Sequence, residues 1–279
     1  LVGRVNRIAL VLALNVSSLV VATGCASTPA AKVADHPESR AKGDALARRM
    51  VNALGGTAAI DRLQTISFEW VIHAGGFELA RHRHDWDRKR QLHRWRSGDR
   101  DVTHRLGASA PVDGIVMEAG QVVADPKRRA ELLAEAYRWW TNNTYWLMSA
   151  HKVLDDNTVR VAVDGDGDGE EDELRISFDA EVGLTPGDAY IYFLDDTGAP
   201  EKFLFLLESG PSGEAVFIEE VSLHGVSFHL RKIAGPAEVR FEHLEVSDGP
   251  RDSLFRSLLD ATSPAAASQP AAAAPASQP

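Results

Sequence analysis

Three histidines lie close enough in sequence to suggest a metal site. His82 and His84 alternate on one face of an extended run, and His93 stands on the next run with Asp85 and Asp87 close by. Two histidines at i and i+2 of a strand can ligate zinc, with His93 as a conceivable third ligand. Against this, Arg81, Arg83, Arg88, Lys89, Arg90, Arg94 and Arg96 crowd the same hairpin, and their charge opposes a divalent cation. The expectation is no metal, but a solvated basic sheet face with Trp86 and Trp95 among its apolar contacts. Such a strip could also meet anionic headgroups or a partner. A second constellation, Asp164-Gly165-Asp166-Gly167-Asp168-Gly169, starts like an EF-hand calcium loop. Its twelfth position is Arg175 where a bidentate Glu is required, and strands flank it. An acidic hairpin turn is expected, with Asp164, Asp166 and Asp168 as a loose calcium candidate at most.

Nucleophile and phosphate-binding signatures are missing. No Gly-x-Ser-x-Gly elbow, His-Glu-x-x-His, Walker loop or dinucleotide glycine fingerprint is present, so no catalytic residue and no enzymatic activity is expected. Dispersed Ser, His and Asp could still converge in space as a hydrolase site. The chain of 279 residues has 44% hydrophobic residues, enough for a real core, and a net charge of −10, which argues against a nucleic-acid partner. Its single Cys excludes an intramolecular disulfide.

That Cys sits in Val21-Ala22-Thr23-Gly24-Cys25, after the basic residues Arg4 and Arg7 and an apolar stretch from Ile8 to Val21. The stretch is too short and polar for a permanent span and reads as an export signal. The five residues resemble the lipobox of bacterial lipoproteins, with Ala22 in place of the preferred Leu. The resemblance implies cleavage before Cys25, a diacylglycerol on its sulfur and an acyl chain on its new amino group. Each buried methylene contributes ~0.8 kcal/mol, so such chains hold a protein on a membrane almost permanently. Loss of residues 1–24 removes two Arg and no acid and takes the charge from −10 to −12. Ala26 and Ser27 after the Cys, by the same resemblance, imply the periplasmic face of the outer membrane.

Four regions follow: signal peptide 1–24, lipidated Cys and tether 25–40, a folded body 41–261, and an Ala/Pro/Ser/Gln tail 262–279 too small and apolar-poor to order itself. In the body, Ala45, Leu46, Met50, Val51 and Leu54 predict a helix stopped by Gly55-Gly56, and Thr57 caps a further turn. The apolar period then changes to two. Strands are predicted over 66–72, 77–86, 91–95, 101–106, 114–118, 158–163, 173–179, 188–194, 202–208, 215–222, 225–232 and 238–246, with connections short enough to favour antiparallel order. One helix interrupts them: Asp125 caps it, Pro126 opens it, and Leu132, Leu133, Ala136, Tyr137 and Trp140 repeat at helical spacing. Thr141-Asn142-Asn143-Thr144 is expected to end or kink it.

Three of the six Trp lie between 139 and 146. Such rings plug one mouth of a curved sheet as core, or face a ligand. Phe68, Trp70, Trp139, Trp140, Tyr145 and Trp146 are the ligand-facing candidates.

Several dispersed motifs carry a wider resemblance: Ala53-Leu54-Gly55-Gly56, Phe68-Glu69-Trp70, His84-Asp85-Trp86-Asp87, Asn143-Thr144-Tyr145-Trp146-Leu147 and Val182-Gly183-Leu184-Thr185-Pro186-Gly187-Asp188. Together, over residues 45–248, they resemble bacterial exported proteins related to outer-membrane lipoprotein-sorting proteins. Met148-Ser149-Ala150-His151 departs from that pattern. The resemblance implies the architecture of LolA and LolB: a mainly β, strongly curved antiparallel sheet forming an unclosed barrel, covered by helices, with an apolar cavity. No residue matches the transfer features of those carriers. The expected function is therefore an envelope lipoprotein whose half-barrel holds a hydrophobic or lipid-bearing ligand, an acyl chain or a lipoprotein. The other reading is a non-catalytic scaffold with a filled barrel.

Overall fold

A computed structural model describes residues 36–108, 110–178, 187–208 and 212–261. Cys25, the export signal, most of the tether, the tail and the segment 182–186 of the wider resemblance lie outside the described residues. The chain opens with α1 (Pro37–Ala53) and the short α2 (Thr57–Arg62). Five long strands and a short one follow: β1 (Thr65–Ala74), β2 (Phe77–Asp87), β3 (Leu92–Ser97), β4 (Arg100–Leu106), β5 (Pro111–Glu118) and β6 (Gln121–Val122). Helix α3 (Pro126–Met148) then leads to β7 (Thr158–Val163), β8 (Glu173–Phe178), β9 (Ala189–Leu194) and β10 (Pro200–Leu206). The chain closes with β11 (Gly213–Leu223), β12 (Val226–Ala234), β13 (Ala237–Ser247) and α4 (Arg256–Ala261).

The thirteen strands of the described residues form one sheet in the order β6-β5-β4-β3-β2-β1-β13-β12-β11-β10-β9-β8-β7, and every paired neighbour is antiparallel. Two meanders are joined where β1 pairs β13. The edge strands β6 and β7 do not pair with each other, so the sheet is an unclosed, mainly β fold with helical cover.

Helix α1 starts earlier than residue 41. The His36 ring accepts from the Ser39 backbone N–H at 3.3 Å and Pro37 takes the first helical position, so the last residues of the expected tether are helical. The helix lies against β7, where a Cβ on Gly43 would stand 2.7 Å from the Val161 backbone. Gly55 ends the helix at φ 110°, and a Cβ there would lie 2.0 Å from the Gly225 carbonyl oxygen.

The predicted stop in α3 does not occur. Thr141 and Thr144 donate their hydroxyls to the carbonyls of Tyr137 and Trp140, at 3.1 and 2.6 Å, so both polar side chains are satisfied within the helix. Asn143 is buried against β2. The helix therefore runs unbroken to Met148 across the inner face of the sheet. On the opposite face Phe255 and Leu258, at and beside α4, pack on Leu92. No prediction covered β6 or α4.

Candidate functional site

Register decides which side chains share the inner face. Phe68 pairs with His84, Trp70 with His82 and with Phe241, Trp86 with His93, and His93 with His104. Alternation sends Arg81, Arg83, Arg94 and Arg96 to the other face. The expected solvated basic face is therefore corrected in part: its arginines lie on the outer side, whereas His82, His84, His93 and His104, with Trp86 and Trp95, are all buried on the side of α3. The arginines outside are paired. Arg81 bonds Glu69, Glu78 and Glu242, Arg96 reaches Asp85 at 2.7 Å, and Arg90 reaches Asp87 at 2.7 Å. Arg88 caps α2 through the carbonyls of Ile60 and Leu63.

The histidines form a chain. Asn143 Nδ2 lies 3.2 Å from His82 Nδ1 and 2.9 Å from His84 Nε2. His84 Nδ1 lies 3.0 Å from His93 Nε2, His93 Nδ1 lies 2.9 Å from His104 Nε2, and His104 Nδ1 lies 3.4 Å from the Arg105 carbonyl. A carbonyl only accepts, so His104 carries its proton on Nδ1, and His93 and His84 must follow. Their Nε2 lone pairs then accept in turn, the last from Asn143. Burial holds all four rings neutral, with His82 pushed down to about 3, His104 to about 4, and His84 and His93 well below the usual range. His93 meets the opposite nitrogen of His84 from the one beside His82, so these three do not converge on one point as metal ligands would. His104 was not singled out from sequence; the alternation Val102, His104, Leu106 was its only signal.

The six aromatic candidates fall into two groups. Phe68 stacks on His84 at 5.0 Å, Trp70 lies 5.8 Å from Trp139, and Trp139 stands 4.1 Å edge-on from His82. Trp140 lies 5.8 Å from Trp86 and belongs with them. Further along α3, Tyr145 packs on Tyr190 at 4.8 Å and Trp146 on Phe203 at 5.5 Å. Within the first group a polar deficit accumulates. The indole N–H groups of Trp70, Trp86, Trp95 and Trp140 are buried and find no acceptor. Buried indoles ordinarily find one.

A surface pocket of about 460 Å³ opens elsewhere, where β10 and β11 meet, lined by residues including Lys202, Phe217, Glu220 and His229. None of the six aromatic candidates lines it. Beside it Lys232 is buried between the rings of Phe217 and Phe241, 4.9 and 4.8 Å away, and burial pushes its amine down to about 7.

The acidic turn uses its carboxylates on its own backbone. Asp164 accepts from Gly167 and Gly169, Asp166 from Asp168, and Asp168 from Glu170. Asp164 and Asp166 converge with the buried Glu173, whereas Asp168 does not join them. Glu173 accepts from the Gly165 N–H at 2.6 Å, and burial raises its carboxyl to about 7.

Among solved structures, the chain is similar to two that bear on the fold. One is a LolA superfamily protein from Nitrosomonas europaea, at 11% identity and a TM-score of 0.41, covering 76% of this chain and 96% of that one. The other is a domain assigned to outer-membrane lipoprotein sorting from Vibrio parahaemolyticus, at 10% identity and a TM-score of 0.38, covering 76% and 98%. No family model and no curated protein matches the chain.

Proposed function

We propose that this protein is a lipoprotein of the bacterial envelope, anchored through Cys25 at the periplasmic face of the outer membrane, that binds a hydrophobic or lipid-bearing ligand on the inner face of its sheet beneath α3. It catalyses nothing in this reading. One observation carries it: an aromatic sheet face with unpaired buried indole donors, roofed by α3 rather than by a second sheet. Such a face would accept acyl chains by burial of apolar surface and ester or amide carbonyls through the indoles. Gentle native mass spectrometry of the purified protein, with extraction of co-purifying lipid, tests the reading. A bound lipid mass is expected, and a clean ligand-free mass contradicts it.

A second reading has its own support. In this structure α3 already fills the inner face, with Trp139 and Trp146 packed on strand rings, as a non-catalytic scaffold would require. The same mass measurement separates the two.

A further inference from the structure

The asparagine–histidine chain joins the roof helix to three adjacent strands through a single hydrogen-bond direction. Asn142 Nδ2 donates to Asn143 Oδ1 at 2.8 Å, which leaves Asn143 Nδ2 to face the two rings. Every link runs the same way, from Asn143 on α3 to the Arg105 carbonyl on β4. While the Asn142 bond holds the Asn143 amide in this orientation, an added proton has no place in the chain. On His82 or His84 it sets N–H against the N–H of Asn143. On His104 it makes Nε2 a donor, the His93 and His84 protons shift to their own Nε2 atoms, and the same clash arrives at Asn143. The helix contact is where the conflict ends, wherever the proton enters.

The groups facing the chain do not relieve it. From β1 come Phe68 and Trp70, from β3 Trp95, and from α3 Tyr137, Trp139 and Trp140, none a carboxylate. The nearby charges are cationic: Arg83 beside His84, and Arg100 beside His82 and paired with Glu135 at 2.7 Å. Among the described residues no carboxylate bonds a ring of the chain.

We propose that Asn143 with His82, His84, His93 and His104 forms a proton-operated latch: neutral rings hold α3 down on the sheet, and proton uptake releases it. The latch goes beyond ligand binding, because opening can be read with no ligand present. A released helix leaves the rings in water at an ordinary histidine pKa near 6.5. The ratio of open to closed helix then grows about tenfold per pH unit for each proton taken up below that value.

Hydrogen exchange of the full chain carrying Cys25→Ser, corrected for intrinsic rates between pH 7.5 and 4.5, tests it. Protection of the α3 amides is expected to fall below pH 6.5 while β9–β12 keep theirs, and in Asn143→Leu the protection of α3 is expected to be lower than the parent's already at pH 7.5. Constant α3 protection, loss in step with the whole sheet, or an Asn143→Leu profile matching the parent overturns the latch. Nitrogen NMR of the parent protein at pH 7 is a second check that needs no core variant. It should find Nδ1–H tautomers on His84, His93 and His104, and an Nε2–H tautomer on His84 contradicts the proposal.

Discussion

Asn143 donates to His84 Nε2 at 2.9 Å across the gap between helix and sheet, and this places Asn143 and the adjoining Thr144 in the interior rather than at a helix end. Replacing it with Leu leaves lone pairs on His82 and His84 without a donor. Each buried unsatisfied group costs about 1–3 kcal/mol, so Asn143→Leu should lower stability at pH 7 by about 2–4 kcal/mol in urea unfolding. An unchanged midpoint would contradict this bond's weight.

The α1–β7 contact depends on a missing side chain. A Cβ at Gly43 would meet Val161 main-chain atoms at 2.7–2.8 Å, and backbone cannot give way cheaply. Gly43→Ala should destabilise by about 1–3 kcal/mol despite Ala's better helix propensity. Gly249→Ala, where a Cβ would meet nothing within 4 Å, should stay within about 0.5 kcal/mol. Equal thermal shifts for the two would refute the close packing.

Lys232 makes stability depend on alkaline pH. Its folded pKa of about 7 lies below the ordinary 10.5, so between those values the unfolded chain holds a proton that the folded one lacks. This contribution to stability therefore rises with pH from 7 to 10.5 and is at its poorest below 7. Lys232→Met should be more stable than the parent by about 1–3 kcal/mol at pH 7, and the difference should shrink towards pH 10. A difference independent of pH would show that the amine is not buried uncharged.

Cys25→Ser should move the protein from the membrane fraction to the soluble one, since loss of the acyl chains removes ~0.8 kcal/mol per methylene. Retention in membranes after an alkaline wash would remove Cys25 as the anchor.

Much of the sheet was legible because period-two burial and short glycine turns are local signals. Pairing of β1 with β13 was not, because it joins residues on either side of the whole fold. The same distance hid the histidine interior. Arginine alternating with histidine looks solvated until a helix more than forty residues downstream covers one face, and the Thr141–Thr144 run reads as a stop until its threonines bond their own helix and strand histidines receive Asn143. Phe68 and Trp70 were recognisable as inward-facing from alternation alone. The indole groups without acceptors had no sequence signature, because a hydrogen-bond deficit is a property of packing.

The central claim is that the face beneath α3 takes an acyl chain, and brominated fatty acid titrated into the full chain carrying Cys25→Ser tests it most directly. Heavy-atom quenching acts at contact range, so saturable loss of tryptophan emission, reduced in a Trp70→Phe/Trp139→Phe variant, is the predicted result. Emission that stays constant, or falls linearly and equally in both proteins, would contradict the account.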